Sequence, residues 1–154
     1  MSESRIKNAF GSVWWRFLEF EISRSRLMSE VAGNQISALI LQVVAYHNLT
    51  VIQSGMKNES YEEIRERWEK GGENSDSQMP RKLSYAAISD ITGIDKETVR
   101  RSVNKLAEQE WVVIDQKSGI DYQPSAANQE KLLKLNEWEL IHLGRLFNTL
   151  ERNV

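Results

Sequence analysis

The sequence predicts a mainly α-helical fold that contains one small β hairpin. Apolar residues recur at helical spacing over most of the chain. The β-branched run at residues 111–115 (WVVID) is followed by a turn at 117–119 and a returning strand at 120–123. Ahead of it, Gly93 separates two short amphipathic patterns. Residues 84–124 are therefore expected to form a helix, a tight turn, a second helix and a hairpin.

Composition is that of a globular chain. It has 154 residues, of which 40% are hydrophobic, and this is an ordinary size for one domain or for a small domain with helical extensions. Cysteine is absent, which excludes a disulfide scaffold and any thiolate site. No run is apolar enough to span a membrane, and the polar start MSESRIKN lacks the apolar core of a secretory signal. We expect a cytoplasmic protein.

Residues 1–33 are predicted to contain one long amphipathic helix, from residue 5 to about residue 30. Its apolar seam has near-heptad spacing and is interrupted by Arg24. The seam consists of Ile6, Phe10, Val13, Phe17, Phe20 and Leu27, and Trp14, Trp15, Leu18 and Ile22 widen it. We favour a dimerisation helix over one that covers its own domain's core. A membrane-surface helix is less favoured, because acidic residues offset the basic ones.

A second helix is predicted from the Gly33-Asn34 break to about Gln53, with an apolar face typical of a central core helix. On that face, His47 is interpreted as a hydrogen-bonded core histidine rather than a ligand. The other histidine, His142, is distant in sequence, so spacing supports no metal site.

The segment 55–82 has a different character. Tyr61, Ile64 and Trp68 predict a short helix with an acidic outer side. Residues 71–80, GGENSDSQMP, lack periodicity and predict a mobile loop. Phosphate binding by its glycine pair is disfavoured, because nucleotide-binding loops need more glycines between a strand and a helix.

The two helices before the hairpin carry clear start and stop signals. Ser84 is an N-cap for the first, whose apolar positions are Tyr85, Ala86, Ile88 and Ile91. After the Gly93 turn Ile94 can tuck into the core, and Asp95 caps the second helix. Its buried stripe is Val99, Val103 and Leu106. At about 100° per residue, Glu97, Arg101 and Asn104 point away from that stripe, flanked by Thr98, Lys105, Lys96 and Arg100.

Positive charge is concentrated in this part of the chain. The whole chain has a net charge of −2, which argues against non-specific coating of nucleic acid. Residues 81–105 contain six basic and three acidic side chains, so their local charge is about +3.

The C-terminal part, 126–154, is predicted to be helical. Pro124 ends the hairpin, Ser125 can cap the next helix, and the Asn136–Glu139 pair has the form of a capping box, which predicts a bend or fresh start near residue 136. Apolar residues beyond it cover more than one face, which suits helices packed between two partners.

The order core helix, helix-turn-helix and hairpin resembles the winged helix-turn-helix of bacterial transcription regulators. The segment TGIDKETVRRSVNKLAEQEWVVI is similar to the recognition helix and wing strand of the GntR and MarR classes. Long flanking helices resemble the MarR arrangement, in which terminal helices form a homodimer around a mid-chain winged domain, here 34–125. Glu110 departs from the pattern, since these families commonly have glycine there.

The resemblance implies a homodimeric, sequence-specific regulator of transcription that places the recognition helix, residues 95–109, in the major groove of double-stranded DNA. Residues early in that helix would read bases, and the helical wheel adds Arg101, Asn104 and Lys105. Glu97 would select bases or position Arg101 through an i, i+4 pair. The candidate DNA-binding residues are Lys96, Glu97, Thr98, Arg100, Arg101, Asn104 and Lys105 on the recognition helix, Arg81, Lys82, Ser84 and Tyr85 at phosphates, and Lys117 on the wing.

Two other classes stay open. Winged helices also serve as protein-protein interaction modules, which suits the acidic whole-chain balance. An enzyme is less favoured, since we find no paired nucleophile and base, no metal set and no cofactor loop. MarR-like dimers often bind small aromatic effectors, and Trp14, Trp15, Tyr46, His47 and Trp138 could line such a pocket, although aromatic core packing is preferred.

Overall fold

The computed structural model describes residues 3–52, 60–69 and 82–152. Over these residues the fold is mainly α-helical with one small antiparallel sheet, as the sequence predicts. The helices are α1 (Glu3–Asn8), α2 (Phe10–Ala32), α3 (Gln35–Ile52), α4 (Tyr61–Glu69), α5 (Tyr85–Thr92), α6 (Lys96–Glu108) and α7 (Ala126–Arg152), and the strands are β1 (Val112–Asp115) and β2 (Gly119–Tyr122). No single helix in the described ranges is long and apolar enough to cross a membrane.

The chain divides into two compact units. One consists of Met1–Ala38 together with Ala126–Val154, and the other of Leu39–Ser125. The boundary falls inside α3, so this helix contributes to both units.

In the first unit, α2 packs on α7. Phe20 stacks on Trp138 with ring centroids 5.6 Å apart, and the Arg24 Nε lies 2.9 Å from a carboxylate oxygen of Glu139. Both charged side chains are mostly buried, at 28% and 19% exposed. The arginine that interrupts the apolar seam of α2 is therefore accommodated by an acidic partner on the facing helix.

Two expectations about the helices of this unit are wrong. The predicted single N-terminal helix is divided into α1 and α2 at Ala9, whose φ of −110° and ψ of 18° leave the helical region, although Val13 N still donates to Ala9 O at 3.0 Å. The fresh helix start expected near Asn136, as one alternative to a bend, is absent, because α7 runs without interruption. Glu139 bonds Arg24 instead of completing a capping box.

In the second unit, α3 supplies buried apolar side chains as predicted. The start of this helix belongs to the first unit, where Asn34 caps it by accepting from Ser37 N at 2.8 Å. Ile40, Leu41 and Val44 are at most 2% exposed, whereas His47 is half-buried.

Helix α4 also forms where the sequence predicts a helix. Ser60 and Glu63 make a reciprocal capping box at its start, with Glu63 N 3.2 Å from Ser60 Oγ and Ser60 N 2.7 Å from a Glu63 carboxylate oxygen. The predicted loop at 71–80 and the side chain of Trp68 lie outside the described residues.

The turn between α5 and α6 confirms its predicted signals. Ser84 Oγ accepts from Ala87 N at 3.1 Å, and Gly93 ends α5 in the left-handed region at φ 73°. Ile88 is completely buried, whereas Ile91 is 64% exposed. Ile94 is half-buried.

The end of α6 is a Schellman motif. Trp111 N donates to Leu106 O at 2.9 Å, and Glu110 N donates to Ala107 O at 3.0 Å. Glu110 occupies the position of this motif that favours glycine, with a φ of 63°. The backbone therefore adopts here the left-handed conformation that glycine favours, although the residue is a glutamate.

Trp111 starts the hairpin from a buried position at 1% exposed. The strands pair in antiparallel register with Val112 opposite Tyr122 and Asp115 opposite Gly119. On the other side of β2, Ile120 N donates to Leu83 O at 3.0 Å, so the residues just before α5 brace the hairpin.

Candidate nucleic-acid interface

The start of α6 is fixed by its N-cap. Asp95 accepts from Thr98 N at 3.0 Å and, through its other oxygen, from Thr98 Oγ1 at 2.5 Å. These two bonds from Thr98 hold the pKa of Asp95 below its ordinary value. The Thr98 hydroxyl proton is thereby committed, which leaves its methyl group and its oxygen lone pairs for contact with a ligand.

One side of α6 is buried and the other is charged. Val99, Val103 and Leu106 are completely buried, as predicted, and Ser102 joins them at 8% exposed. The exposed cations, here called the cationic face, are Lys96, Arg100, Arg101 and Lys105. Thr98 and Asn104 are half-buried.

Glu97 lies within the cationic face and pairs with both arginines. Its two carboxylate oxygens accept from Arg100 at 2.7 Å and 3.0 Å, and one of them lies 3.9 Å from Arg101 Nε. The hydrogen bond from Arg100 holds the pKa of Glu97 below its ordinary value, and the same bond raises the pKa of Arg100. The predicted i, i+4 pair with Arg101 is thus the weaker contact, and Arg100 at i+3 is the main partner.

The start of α5 adjoins this surface. The negative charge of half-buried Tyr85 in its ionised form raises the pKa of Arg100 further, after the larger effect of Glu97. Ser84 is half-buried, and its hydroxyl oxygen already accepts the cap hydrogen bond from Ala87 N. Arg81, another predicted phosphate contact of this segment, lies outside the described residues.

No family model, curated protein or solved structure matches this chain.

The hairpin turn carries both signs of charge. Lys117 is exposed there, but Asp115 accepts from Lys117 N at 2.6 Å and from Ser118 N at 3.1 Å, and Ser118 Oγ donates to Asp121 at 2.6 Å. The backbone bonds to Lys117 and Ser118 hold the pKa of Asp115 below its ordinary value. Two carboxylates thus accept hydrogen bonds from the turn that contains Lys117.

Lys82 has a structural contact that the sequence does not reveal. Its ammonium group donates to the backbone carbonyl of Gln116 and joins the segment before α5 to the turn of the hairpin. This contact spans 34 residues, and no local pattern signals it.

Of the aromatic residues considered for an effector pocket, Trp14, Trp15 and Trp138 belong to the first unit, and Tyr46 and His47 belong to the second. Trp14 stacks between Phe10 and Phe17, with centroids 5.6 Å and 5.3 Å away, and is 46% exposed. Trp138 stacks on His142 at 4.1 Å as well as on Phe20. Tyr46 is 72% exposed. Aromatic stacking on neighbouring side chains accounts for the placement of Trp14 and Trp138.

A surface groove of about 470 Å³ includes one member of that set, Trp15. Its other lining residues are Gly11, Ser12, Arg16 and Thr149. The described residues contain no cluster of three or more histidine, aspartate or glutamate side chains that could hold a metal ion.

Proposed function

We propose that the chain is a sequence-specific DNA-binding regulator of transcription that acts as a homodimer, with α6 as the recognition helix of a winged helix-turn-helix. The observation that carries this proposal is the division of α6 into a completely buried stripe and the exposed cationic face. A helix of this kind fits the major groove, where arginine and lysine bind the acceptor atoms of guanine.

Neighbouring elements support the same proposal. The turn of Gly93, Ile94 and Asp95 is short and capped at both ends, so α5 and α6 are held in a fixed relation. Leu83 and Lys82 brace the hairpin that follows α6. A fixed position of α6 is important, because base recognition needs side chains placed within a fraction of an ångström.

Homodimer formation is supported by apolar surface on the unit that holds α2 and α7. On α2, Trp14, Leu18 and Ile22 are 37–68% exposed and lie roughly 140° around the helix from the side that contacts α7. On α7, Leu140, Ile141 and Phe147 are 51–56% exposed and lie roughly opposite its side that contacts α2. Exposed aromatic and aliphatic patches on two packed helices are typical of a protein interface.

A protein-protein interaction module is the second candidate. The pairing of Glu97 with both arginines and the two carboxylates of the hairpin turn favour it, because they reduce attraction to phosphates. The two candidates differ in what the arginines of α6 do for DNA affinity.

The test measures binding of a mixed pool of duplex DNA at low salt by the wild-type protein and by the double variant Arg100→Ala with Arg101→Ala. Double replacement of Lys131 and Lys134, which are exposed on α7, removes the same charge elsewhere and serves as the control. We expect the α6 variant to lose at least about tenfold in affinity and the control to lose much less. Equal effects of the two double variants, or no binding by the wild type, would contradict the proposal.

A further inference from the structure

Glu97 lies among the residues of the cationic face, although its carboxylate is poorly suited to binding a polyanion. It places a carboxylate among four cations, and its two ion pairs engage both arginines of the face. A carboxylate at that position repels phosphates and competes with them for the same guanidinium groups. A helix that only had to attract DNA would be better served by a neutral side chain there.

Of the two carboxylates at the start of α6, only Glu97 is able to change partners at no cost to the helix cap. Asp95 is committed to Thr98 through both of its oxygens. Glu97 bonds exposed side chains instead, being 59% exposed itself while Arg100 is 47% exposed. Its ion pairs can therefore open without unwinding the first turn of α6.

We propose that Glu97 is a specificity-determining residue that withholds Arg100 and Arg101 from phosphates and releases them at a matching base sequence. This inference rests on the proposed function. The matching sequence supplies guanine acceptors, O6 and N7, for the released arginine and a cytosine N4 donor for the released carboxylate. At any other sequence the open ion pair leaves the carboxylate facing acceptor atoms and phosphates.

Glu97 thus competes with DNA for the arginines, and only a base sequence that contains a G·C pair offers new partners to both the arginine and the carboxylate. Opening it costs the same at every site, but the cost is offset only where both charged groups find new partners. The consequence is weaker binding to random DNA and a larger ratio between matched and random sites. Specificity is measured by that ratio and not by a single dissociation constant.

One alternative is a purely structural role, in which Glu97 only stabilises α6 through i, i+3 and i, i+4 ion pairs. In that case its replacement lowers thermal stability and leaves sequence preference unchanged. A second alternative is simple repulsion, which weakens binding to all DNA by the same factor.

The experiment compares wild type, Glu97→Gln and the control Glu108→Gln. Glu108 is an exposed carboxylate near the other end of α6, so both variants change the net charge equally. Each protein is titrated with a duplex selected by the wild type from random DNA and with a scrambled duplex, at several salt concentrations.

We expect Glu97→Gln to bind the scrambled duplex about three- to tenfold more tightly and the selected duplex no more tightly. The affinity ratio should fall at least about threefold, with the lost discrimination confined to G·C positions, whereas Glu108→Gln keeps the wild-type ratio. The salt dependence on scrambled DNA should steepen, because freed arginines displace more counterions.

Other outcomes overturn the inference. An equal gain on both duplexes shows repulsion only, and an unchanged ratio with a lower melting temperature shows a helix-stabilising role only. If the wild type selects no sequence and the arginine variants bind as it does, the proposed function fails and this inference fails with it. If the wild type selects a sequence that Glu97→Gln selects equally well, this inference alone fails.

Discussion

Replacing Glu110 with glycine should stabilise the protein. Glu110 is the one residue other than glycine with a positive φ in the part of the chain that the structure describes, and it follows α6 in the Schellman motif. The left-handed conformation costs a residue with a Cβ roughly 1–2 kcal/mol. Glycine removes that cost but loses more backbone entropy on folding, about 0.5–1 kcal/mol. The net gain in the free energy of unfolding is therefore about 0.5–1 kcal/mol, which raises the melting temperature by roughly 1–4 °C.

Gly93→Ala is the matched control for this prediction. Gly93 has a φ of 73° at the end of α5, and a Cβ added there meets nothing within 4 Å, so only the backbone cost applies. We expect a loss of about the same size that Glu110→Gly gains. Both free energies can be measured by urea unfolding followed through tryptophan fluorescence. If Glu110→Gly destabilises the protein while Gly93→Ala does too, strain at Glu110 is not the deciding term.

Three further predictions follow from the fold. Gly119→Ala should destabilise the hairpin by more than about 2 kcal/mol, because the added Cβ would lie 2.4 Å from Leu83 O and the residue has a φ of 86°. A free energy of unfolding within error of the Gly93→Ala value would refute this prediction. The folded-state pKa of Asp95 lies below the ordinary value of an aspartate. Its ionised cap therefore stabilises the fold above about pH 4, and this contribution is lost as the pH falls through the folded-state pKa. The Asp95→Asn variant keeps a side-chain oxygen that can cap α6 but does not titrate. The melting temperature of this variant should therefore fall less than that of the wild-type protein between about pH 4 and pH 2. Equal falls would show that Asp95 contributes nothing to acid sensitivity. Ile22 lies on the exposed side of α2, and Ile22→Glu should shift the sedimenting species from dimer to monomer at micromolar concentration. Ile91 is about equally exposed on α5, and Ile91→Glu should not cause this shift. A wild-type protein that sediments as a monomer would rule out the dimer.

Local signals in the sequence predict the elements around the site well. Ser84, Gly93 and Asp95 each act within about one helical turn, so their identity and spacing are enough to place the ends of α5 and α6. The buried stripe of α6 follows from its period in the same way. The choice of Arg100 over Arg101 as the main partner of Glu97 depends on side-chain rotamers, which periodicity does not specify.

A contact between distant residues explains one wrong expectation, the capping box at Asn136. Arg24 is an interruption in the pattern of its own helix, and only the approach of Glu139 on α7 makes it a paired residue. The same contact removes Glu139 from the capping box that the sequence predicts at Asn136. A tertiary interaction thus overrides a local signal, whose worth is only of the order of 1 kcal/mol.

Selection of bound sequences from random duplex DNA tests the central proposal most directly. We predict that the wild-type protein enriches an inverted repeat whose half-sites lie about 10 base pairs apart centre to centre, and that replacing Arg100 and Arg101 with alanine abolishes the enrichment. Because an inverted repeat reports both base readout and two-fold symmetry, it tests the roles of α6 and of the dimer together. A pool that shows no enriched sequence after selection at moderate salt would contradict the proposal that this chain is a sequence-specific regulator.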